Sequence, residues 1–218
     1  MAQARARQKR GMDRQAIVEA AFAMIADAGE ADFSLRKLAG RVGVDPMTIL
    51  YHVKSKEELL RSVADMALAT VPLPEAATDW RDDLRRVAEA YLDLARRFPR
   101  VFPLYFRFYA TGPADYRLGE RVYAALVGAG LADADVARLG IAFYSFVLGF
   151  ALSAVGGLVG PATVEEVAEL DALPAETFPI TRRLTPAFVG FDTDLAFAQA
   201  IDVVLDGIAR QVAPSPPA

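Results

Sequence analysis

Apolar positions recur along this chain at three- and four-residue spacing, the period of helices buried on one side. Ile17, Ala20, Ala21, Met24, Ile25 and Ala28 make the first stripe, with Asp13 placed to cap it and Gly29 to stop it. Leu35, Leu38, Ala39 and Val42 make the second, behind Ser34 as N-cap. Gly43 supplies a turn, because glycine enters positive φ without steric cost. Asp45 then caps a short helix, Met47 to Val53, with Pro46 at its first position, where a missing N–H is no loss. So short a helix must be held by its neighbours. Ser55 with Glu58 three residues later reads as a capping box opening a helix from Lys56 to about Ala69. That helix stops before Val71-Pro72-Leu73-Pro74, since residues preceding proline avoid the α region.

Further along, Asp79 caps a helix from Trp80 to Phe98, with Leu84, Val87, Tyr91, Leu94 and Ala95 on one face and Pro99 as its end. Tyr116 to Ala129 is another amphipathic helix, closed by Gly128 and Gly130, and Asp133 or Asp135 opens a long one through Val155. Residues 161–191, interrupted by Pro174, Pro179 and Pro186, read as a long connection in which Thr163 caps a short helix including Glu166 and Phe178-Pro179 forms a lid or a pocket wall. Asp192 or Thr193 starts the last helix, striped by Leu195, Ala198, Ile201, Val204, Leu205 and Ile208. The pattern predicts an all-α protein with a three-helix helix-turn-helix head and a helical core. It divides into a flexible basic arm over 1–12 (Arg5, Arg7, Lys9, Arg10), a head over 13–70, a body over 71–212 and a disordered proline-rich tail over 213–218.

Helix, glycine turn and short second helix form the helix-turn-helix arrangement, whose second helix enters the DNA major groove. The words SLRKLA (Ser34 to Ala39), Gly43-Val44, Thr48 and YHVKSKEELL (Tyr51 to Leu60) resemble the head of the tetracycline-repressor (TetR) family of bacterial transcription regulators. That resemblance is strong over roughly the first 65 residues and implies an all-helical homodimer with DNA-binding heads and a ligand-binding core. Carried onto this chain, it makes Arg36, Pro46, Met47, Thr48, Leu50, Tyr51, His52 and Lys56 the DNA-contacting residues. Met47 suits apolar contact with a thymine methyl, Thr48 a phosphate or base edge, Arg36 a phosphate or a guanine edge, and Tyr51, His52 and Lys56 phosphates. Leu50 stands where many relatives carry a tyrosine, so that contact here is apolar or omitted and operator preferences do not transfer. The helix from Lys56 is the one the resemblance charges with passing movement from body to head.

Charge sharpens this picture. The chain of 218 residues carries a net charge of −4, but residues 1–61 hold 11 Lys/Arg against 8 Asp/Glu, leaving the excess of acid in the remainder. A basic head on an acidic body suits a protein that meets nucleic acid with one end. A hydrophobic share of 54% excludes general disorder, and the absence of cysteine excludes disulfides and thiolate chemistry and fits a reducing cytoplasm. The basic start is followed by no apolar h-region, so no signal peptide is expected. His52 is the only histidine and has no patterned acid–base or metal partner, so neither catalysis, a metal site nor a cofactor is expected.

In the body, the run Val101 to Tyr109 is unusually aromatic and reads either as packed core or as a ligand cavity, with Arg107 recognising an anionic group or pairing with an acid. The resemblance places an effector pocket in the body, and the candidates for it are Phe102, Tyr105, Phe106, Tyr109, Tyr123, Phe143, Phe146, Val147, Phe150 and Phe178. Residues 139–160 carry no charge, long enough to span a membrane, but they lack flanking basic clusters and aromatic belts at both ends, so burial in a core or interface is the expectation. The ending resembles C-terminal cores near the tetracycline-responsive branch, where a long helix and the last helix of each subunit form a four-helix interface. On this chain that assigns Val136, Phe143, Leu148, Leu152 and Val155, with Leu195, Ile201, Val204, Leu205 and Ile208, to the dimer interface. The expected function is a ligand-responsive repressor of a palindromic double-stranded operator, released by a small apolar or aromatic effector. The alternatives are an activator, an enzyme or carrier using the aromatic cavity, and a membrane-anchored helical protein. Metal-chelated tetracycline is disfavoured as effector, because the body has no histidine to hold the metal, as the drug-sensing relatives do.

Overall fold

A computed structural model describes residues 13–72, 75 and 77–212. The arm expected over 1–12, the tail over 213–218, and Leu73, Pro74 and Ala76 of the expected boundary lie outside the described residues. Among the described residues ten α-helices run in order: α1 (Arg14–Ala28), α2 (Leu35–Val42), α3 (Pro46–Val53), α4 (Lys56–Ala69), α5 (Trp80–Arg97), α6 (Pro113–Gly128), α7 (Asp133–Val155), α8 (Val164–Ala172), α9 (Pro179–Val189) and α10 (Thr193–Ala209). A 3₁₀ segment, Phe102–Phe106, lies between α5 and α6, and no strand occurs among the described residues. The protein is all-α. Residues up to Gly128 form one compact unit and those from Ala129 a second.

Within the first unit, helix starts follow the caps written in the sequence. Side-chain oxygens of Asp13, Ser34, Asp45, Ser55 and Asp79 each accept a backbone N–H of the helix they precede. Gly29 and Gly43 end α1 and α2 at φ 84° and 73°. The Ser55 cap is half of the expected box: Ser55 Oγ accepts the Glu58 N–H at 3.0 Å, while the Glu58 carboxylate lies 3.6 Å from Arg14 on α1. Ile17, Val18, Ala21 and Ile25 of α1 are buried, as are Leu38 and Ala39 of α2, Ile49 and Val53 of α3, and Leu59, Leu60, Val63 and Ala64 of α4, with Phe33 filling the space ahead of α2. Helix α4 packs on α1 and α3 on one side and on α6 and the 3₁₀ segment on the other. No gap in packing therefore separates residues 13–70 from the later helices of this unit. Helix α6 begins at Pro113, three residues before the expected Tyr116, because proline suits a first helical position.

In the second unit, α10 packs on α7. One face of α7 is buried through Val136, Gly140, Phe143, Val147, Leu148 and Ala151. By length and composition this helix, with mean hydropathy 1.7, is long and apolar enough to cross a membrane. Neither Asp133 nor Asp135 caps it; Ala132 precedes it with no side-chain bond, and both acids sit in the first turn, where the helix dipole favours them. The buried stripe of α10 keeps Ile201, Leu205 and Ile208 of that expected, with Val204 half-buried, but begins at Phe197; Ala198 is exposed and Leu195 is 55% exposed. The stretch expected as a connection over 161–191 holds the short helix expected behind Thr163, α8, and also a second helix, α9, packed on it. Prolines do not break it, because Pro179 takes the first turn of α9, where no N–H is needed, and Pro186 is accommodated inside that helix. A reciprocal capping box stands here: Thr163 Oγ accepts the Glu166 N–H at 3.2 Å and the Glu166 carboxylate accepts the Thr163 N–H at 2.8 Å.

Candidate nucleic-acid interface

Helix α3 has two unlike faces. Asp45, in extended backbone, accepts the Met47 N–H at 2.8 Å and so fixes where the helix begins. Ile49 and Val53, four residues apart, are fully buried against the head. Met47 and Tyr51, also four residues apart, stand 69% and 84% exposed on the opposite side. Two large side chains are thus held open side by side on one face of the helix. Around them Arg36 is exposed, while Pro46, Thr48, Leu50, His52 and Lys56 are half-buried. The His52 ring meets Tyr51 edge-on at 5.3 Å. Lys56 is partly taken up by its own head: its Nζ lies 3.9 Å from the Glu30 carboxylate and 5.8 Å from the centre of the Phe33 ring.

Lys54 was not among the contact residues expected from sequence, and it is the head's unusual backbone position. Its φ of 64° and ψ of −47° are those of a three-residue turn, closed by the Ser55 N–H donating to the Val53 carbonyl at 2.7 Å. Lys54 is the only non-glycine residue at positive φ among the described residues. Strain of this kind costs about 1–3 kcal/mol and clusters at functional sites. Here it leaves an exposed ammonium immediately beyond the exposed face of α3. The signal for it in the sequence is its place inside the YHVK word, between His52 and Lys56.

The aromatic candidates separate by environment. Phe102 and Tyr105 are core: Tyr105 packs on Phe102 and Tyr91, and its buried hydroxyl donates to the Ala64 carbonyl of α4 at 2.6 Å. Phe106 and Tyr109 are exposed, Tyr109 by 86%. Tyr123 is just over one-third exposed, and partial burial together with the charges of Tyr109 and Asp115 raises its hydroxyl above the usual tyrosine range. In the second unit Phe143 and Val147 are buried, Phe146 and Phe150 are half-buried with their rings tilted at 47° and centred 6.3 Å apart, and Phe178 is exposed. A cavity within the first unit, about 460 Å³, lies away from these rings, between α1, α4 and the start of α6, with Arg14, Arg61, Met66 and Thr111 among its walls. Arg107 pairs with acids: its guanidinium binds both Glu30 and Glu57 of the head. The hydrogen bond to Glu30 raises the Arg107 pKa above the usual arginine value against a smaller opposing effect of burial, and the charges of Glu30 and Glu57 add to the rise.

Of the interface candidates, Val136, Phe143, Leu148, Ile201, Leu205 and Ile208 are already buried in the single chain, while Leu152, Val155 and Val204 are half-buried and Leu195 is open. Val203, outside the expected set, is 72% exposed.

Comparison with known proteins matches both regions. The family profile described as "Bacterial regulatory proteins, tetR family" covers residues 17–63, and that described as "Tetracyclin repressor-like, C-terminal domain" covers 72–212. An HTH-type transcriptional regulator of Saccharopolyspora erythraea is 32% identical over 134 residues, 61% of this chain and 57% of the relative, so that the match spans little more than half of that protein. The class A tetracycline repressor of transposon 1721 from Escherichia coli is 26% identical over 205 residues, 89% of each chain. The crystal structure of the Streptomyces coelicolor TetR family protein ActR in complex with actinorhodin superposes with a TM-score of 0.82 at 23% identity, covering 93% of this chain and 99% of the other.

Proposed function

The chain belongs to the tetR family of bacterial regulatory proteins and is a helix-turn-helix transcriptional regulator; from that premise we propose that it is a dimeric repressor whose operator is released by a small apolar or aromatic effector. The observation that carries the DNA-binding half is the face of α3: Met47 and Tyr51 open, Ile49 and Val53 buried behind them. Two such helices about 34–36 Å apart read a near-palindromic site. Met47 meets a thymine methyl, Thr48 and Arg36 reach base edge or phosphate, and Tyr51, His52 and Lys54 hold phosphates. Lys56 contributes less, because Glu30 already engages it. Half-buried Leu50 offers only apolar contact.

Dimerisation runs through α7 and α10, using the parts of them the single chain leaves open: Leu195, Val203, Val204, Leu152 and Val155. The effector enters the body. A ligand releases DNA only by binding the released form more tightly, with coupling typically about 1–3 kcal/mol. That the ActR structure was obtained with actinorhodin supports an aromatic effector class for a chain of this fold. Metal-chelated tetracycline is excluded from the proposal because His52, the sole histidine, belongs to the DNA-binding head. The protein acts in the cytoplasm, where its DNA is.

The test is fluorescence anisotropy of the purified protein on the DNA upstream of its own gene against a scrambled duplex, across a salt series. Nanomolar, sequence-dependent binding that Tyr51→Ala weakens is the expected result. Equal binding to both duplexes, erased by salt, overturns specific regulation at that site.

A further inference from the structure

Helix α6 is capped by a different helix. Gly112 occupies its N-cap position and has no side chain to offer, Pro113 has no N–H, and the buried hydroxyl of Thr111 has no partner among the described residues. The two remaining donors of the first turn, the N–H groups of Ala114 and Asp115, both point to one carboxylate oxygen of Asp65 on α4, at 2.8 and 3.4 Å. An N-cap side chain normally accepts from these two positions. Asp65 does that work from 49 residues upstream. Its fit depends on Gly112: a Cβ there would come within 2.6 Å of Asp65 Cγ and 2.8 Å of its nearer oxygen. The turn is closed from inside as well, because the buried Asp115 carboxylate accepts the Thr111 N–H at 2.9 Å and the Tyr91 hydroxyl at 2.8 Å. With the Tyr105 hydroxyl on the Ala64 carbonyl one residue along α4, the connection is a cluster of directed bonds at one level of that helix.

We infer that Asp65 and Gly112 are positioning residues for DNA recognition: the cap that α4 supplies to α6 fixes the angle at which α4 carries α1 to α3. The inference rests on the regulator proposed above. A helix normally carries its own cap, and an ordinary Ser, Thr, Asp or Asn at position 112 would serve α6 equally well. Moving the cap to α4 adds nothing to α6 alone. It makes the start of α6 depend on where α4 lies, which is the dependence a switch requires.

The distinction between a structural cap and a positioning one is open to a direct test. Asp65→Ala removes the cap and, with it, the carboxylate that forbids a side chain at 112. Adding Gly112→Ser in that background returns a local cap to α6 without the link to α4. Melting temperature, operator affinity and a spin-label distance between Glu19→Cys on α1 and Glu120→Cys on α6 are then compared; the chain has no native cysteine to interfere, and labelled protein is diluted with unlabelled. Asp65→Ala lowers the melting temperature, weakens operator binding about tenfold and broadens the label distance. The double variant recovers the melting temperature but neither the affinity nor the narrow distance. Recovery of all three shows a structural cap only and overturns the inference, as does an unchanged distance in both variants. Where Asp65→Ala does not fold, Asp65→Asn, which keeps an acceptor oxygen, gives the same readouts with a smaller change. A wild-type chain that binds no duplex specifically removes the regulator reading, and the distance alone then decides whether the cap sets the position of the head.

Discussion

The head and the α8–α9 pair are built from similar material and are held in different ways. Both consist of short amphipathic helices, and α8 has a better cap than any helix of the head, with Thr163 and Glu166 bonded reciprocally. Yet α1 to α4 enclose a core in which Ile17, Leu38, Ile49 and Leu59 are fully buried, whereas α8 buries no residue and α9 buries Thr185 alone. Val164 stands 82% exposed, and Ile180 and Val189 just over half. Caps decide where a helix starts; burial decides whether it stays. Apolar side chains left open along a whole helix pair indicate a surface that is completed by something else, as they do on α3.

The largest effects should separate the two regions. Leu59→Ala, at a fully buried position of α4, should cost about 2–5 kcal/mol in urea unfolding. Val164→Ser on α8 should stay within about 0.5 kcal/mol. Should Val164→Ser cost as much as Leu59→Ala, the α8 face is covered in solution and the contrast dissolves. Next in size is the open side of α10. Val203→Asp places a charge on a side chain that is 72% exposed in the single chain. If α10 lies in the dimer interface, sedimentation should show the dimer dissociating at concentrations at least tenfold higher, with little change in the unfolding of each subunit. An unchanged dimer moves the interface elsewhere, with the α8–α9 face the next candidate.

Asp45→Ala probes the head at a smaller scale. Loss of the cap on α3 should cost about 1 kcal/mol, and operator affinity should fall by more than stability does, because the first turn carries Met47 and Thr48. Equal losses would mean that the cap matters only to folding. This cap is fully legible in the sequence, as is nearly everything about the head: Ser34, Gly43, Asp45, Pro46 and Ser55 are local signals, and the helices they punctuate pack on near neighbours. The body is less legible for a physical reason. Whether Phe102 and Tyr105 line a pocket or fill a core depends on α4, whose Ala64 carbonyl lies 41 residues before Tyr105, and no spacing rule states that. Arg107, open between two readings, is settled by Glu30 and Glu57, which lie 77 and 50 residues upstream. The cap of α6 is invisible in the sequence because its donor turn and its carboxylate are on different helices. In 161–191, Pro179 and Pro186 read as breakers although the first sits where a helix tolerates it. The family profiles divide the chain between 63 and 72, where the described packing runs on through α4 into α6.

Lys54 offers a finer comparison, between strain kept for contact and plain turn geometry. Lys54→Gly relieves the positive φ but frees the unfolded chain, so stability should change by less than about 1 kcal/mol. Operator affinity should nevertheless fall, and the slope of log affinity against log salt should flatten by about one unit for each phosphate that the variant no longer neutralises. An unchanged slope would make Lys54 a turn residue only.

The smallest effect belongs to the cap of α8. Glu166 is held below the usual carboxylate range, first by accepting the Thr163 backbone N–H and then by the Thr163 hydroxyl. A carboxylate depressed in this way stabilises the folded form above its unfolded pKa, and that contribution is lost as pH falls through the lower folded value. The Thr163 amide resonance should therefore titrate with a midpoint below the ordinary glutamate range, and Glu166→Gln should abolish the titration. Because Glu166 is fully exposed and α8 buries nothing, the melting temperature of the whole chain should not follow it. A melting temperature that tracks this titration would mean that the start of α8 is tied into a cooperative unit, and the open face of α8–α9 would then have to be read as part of the folded core.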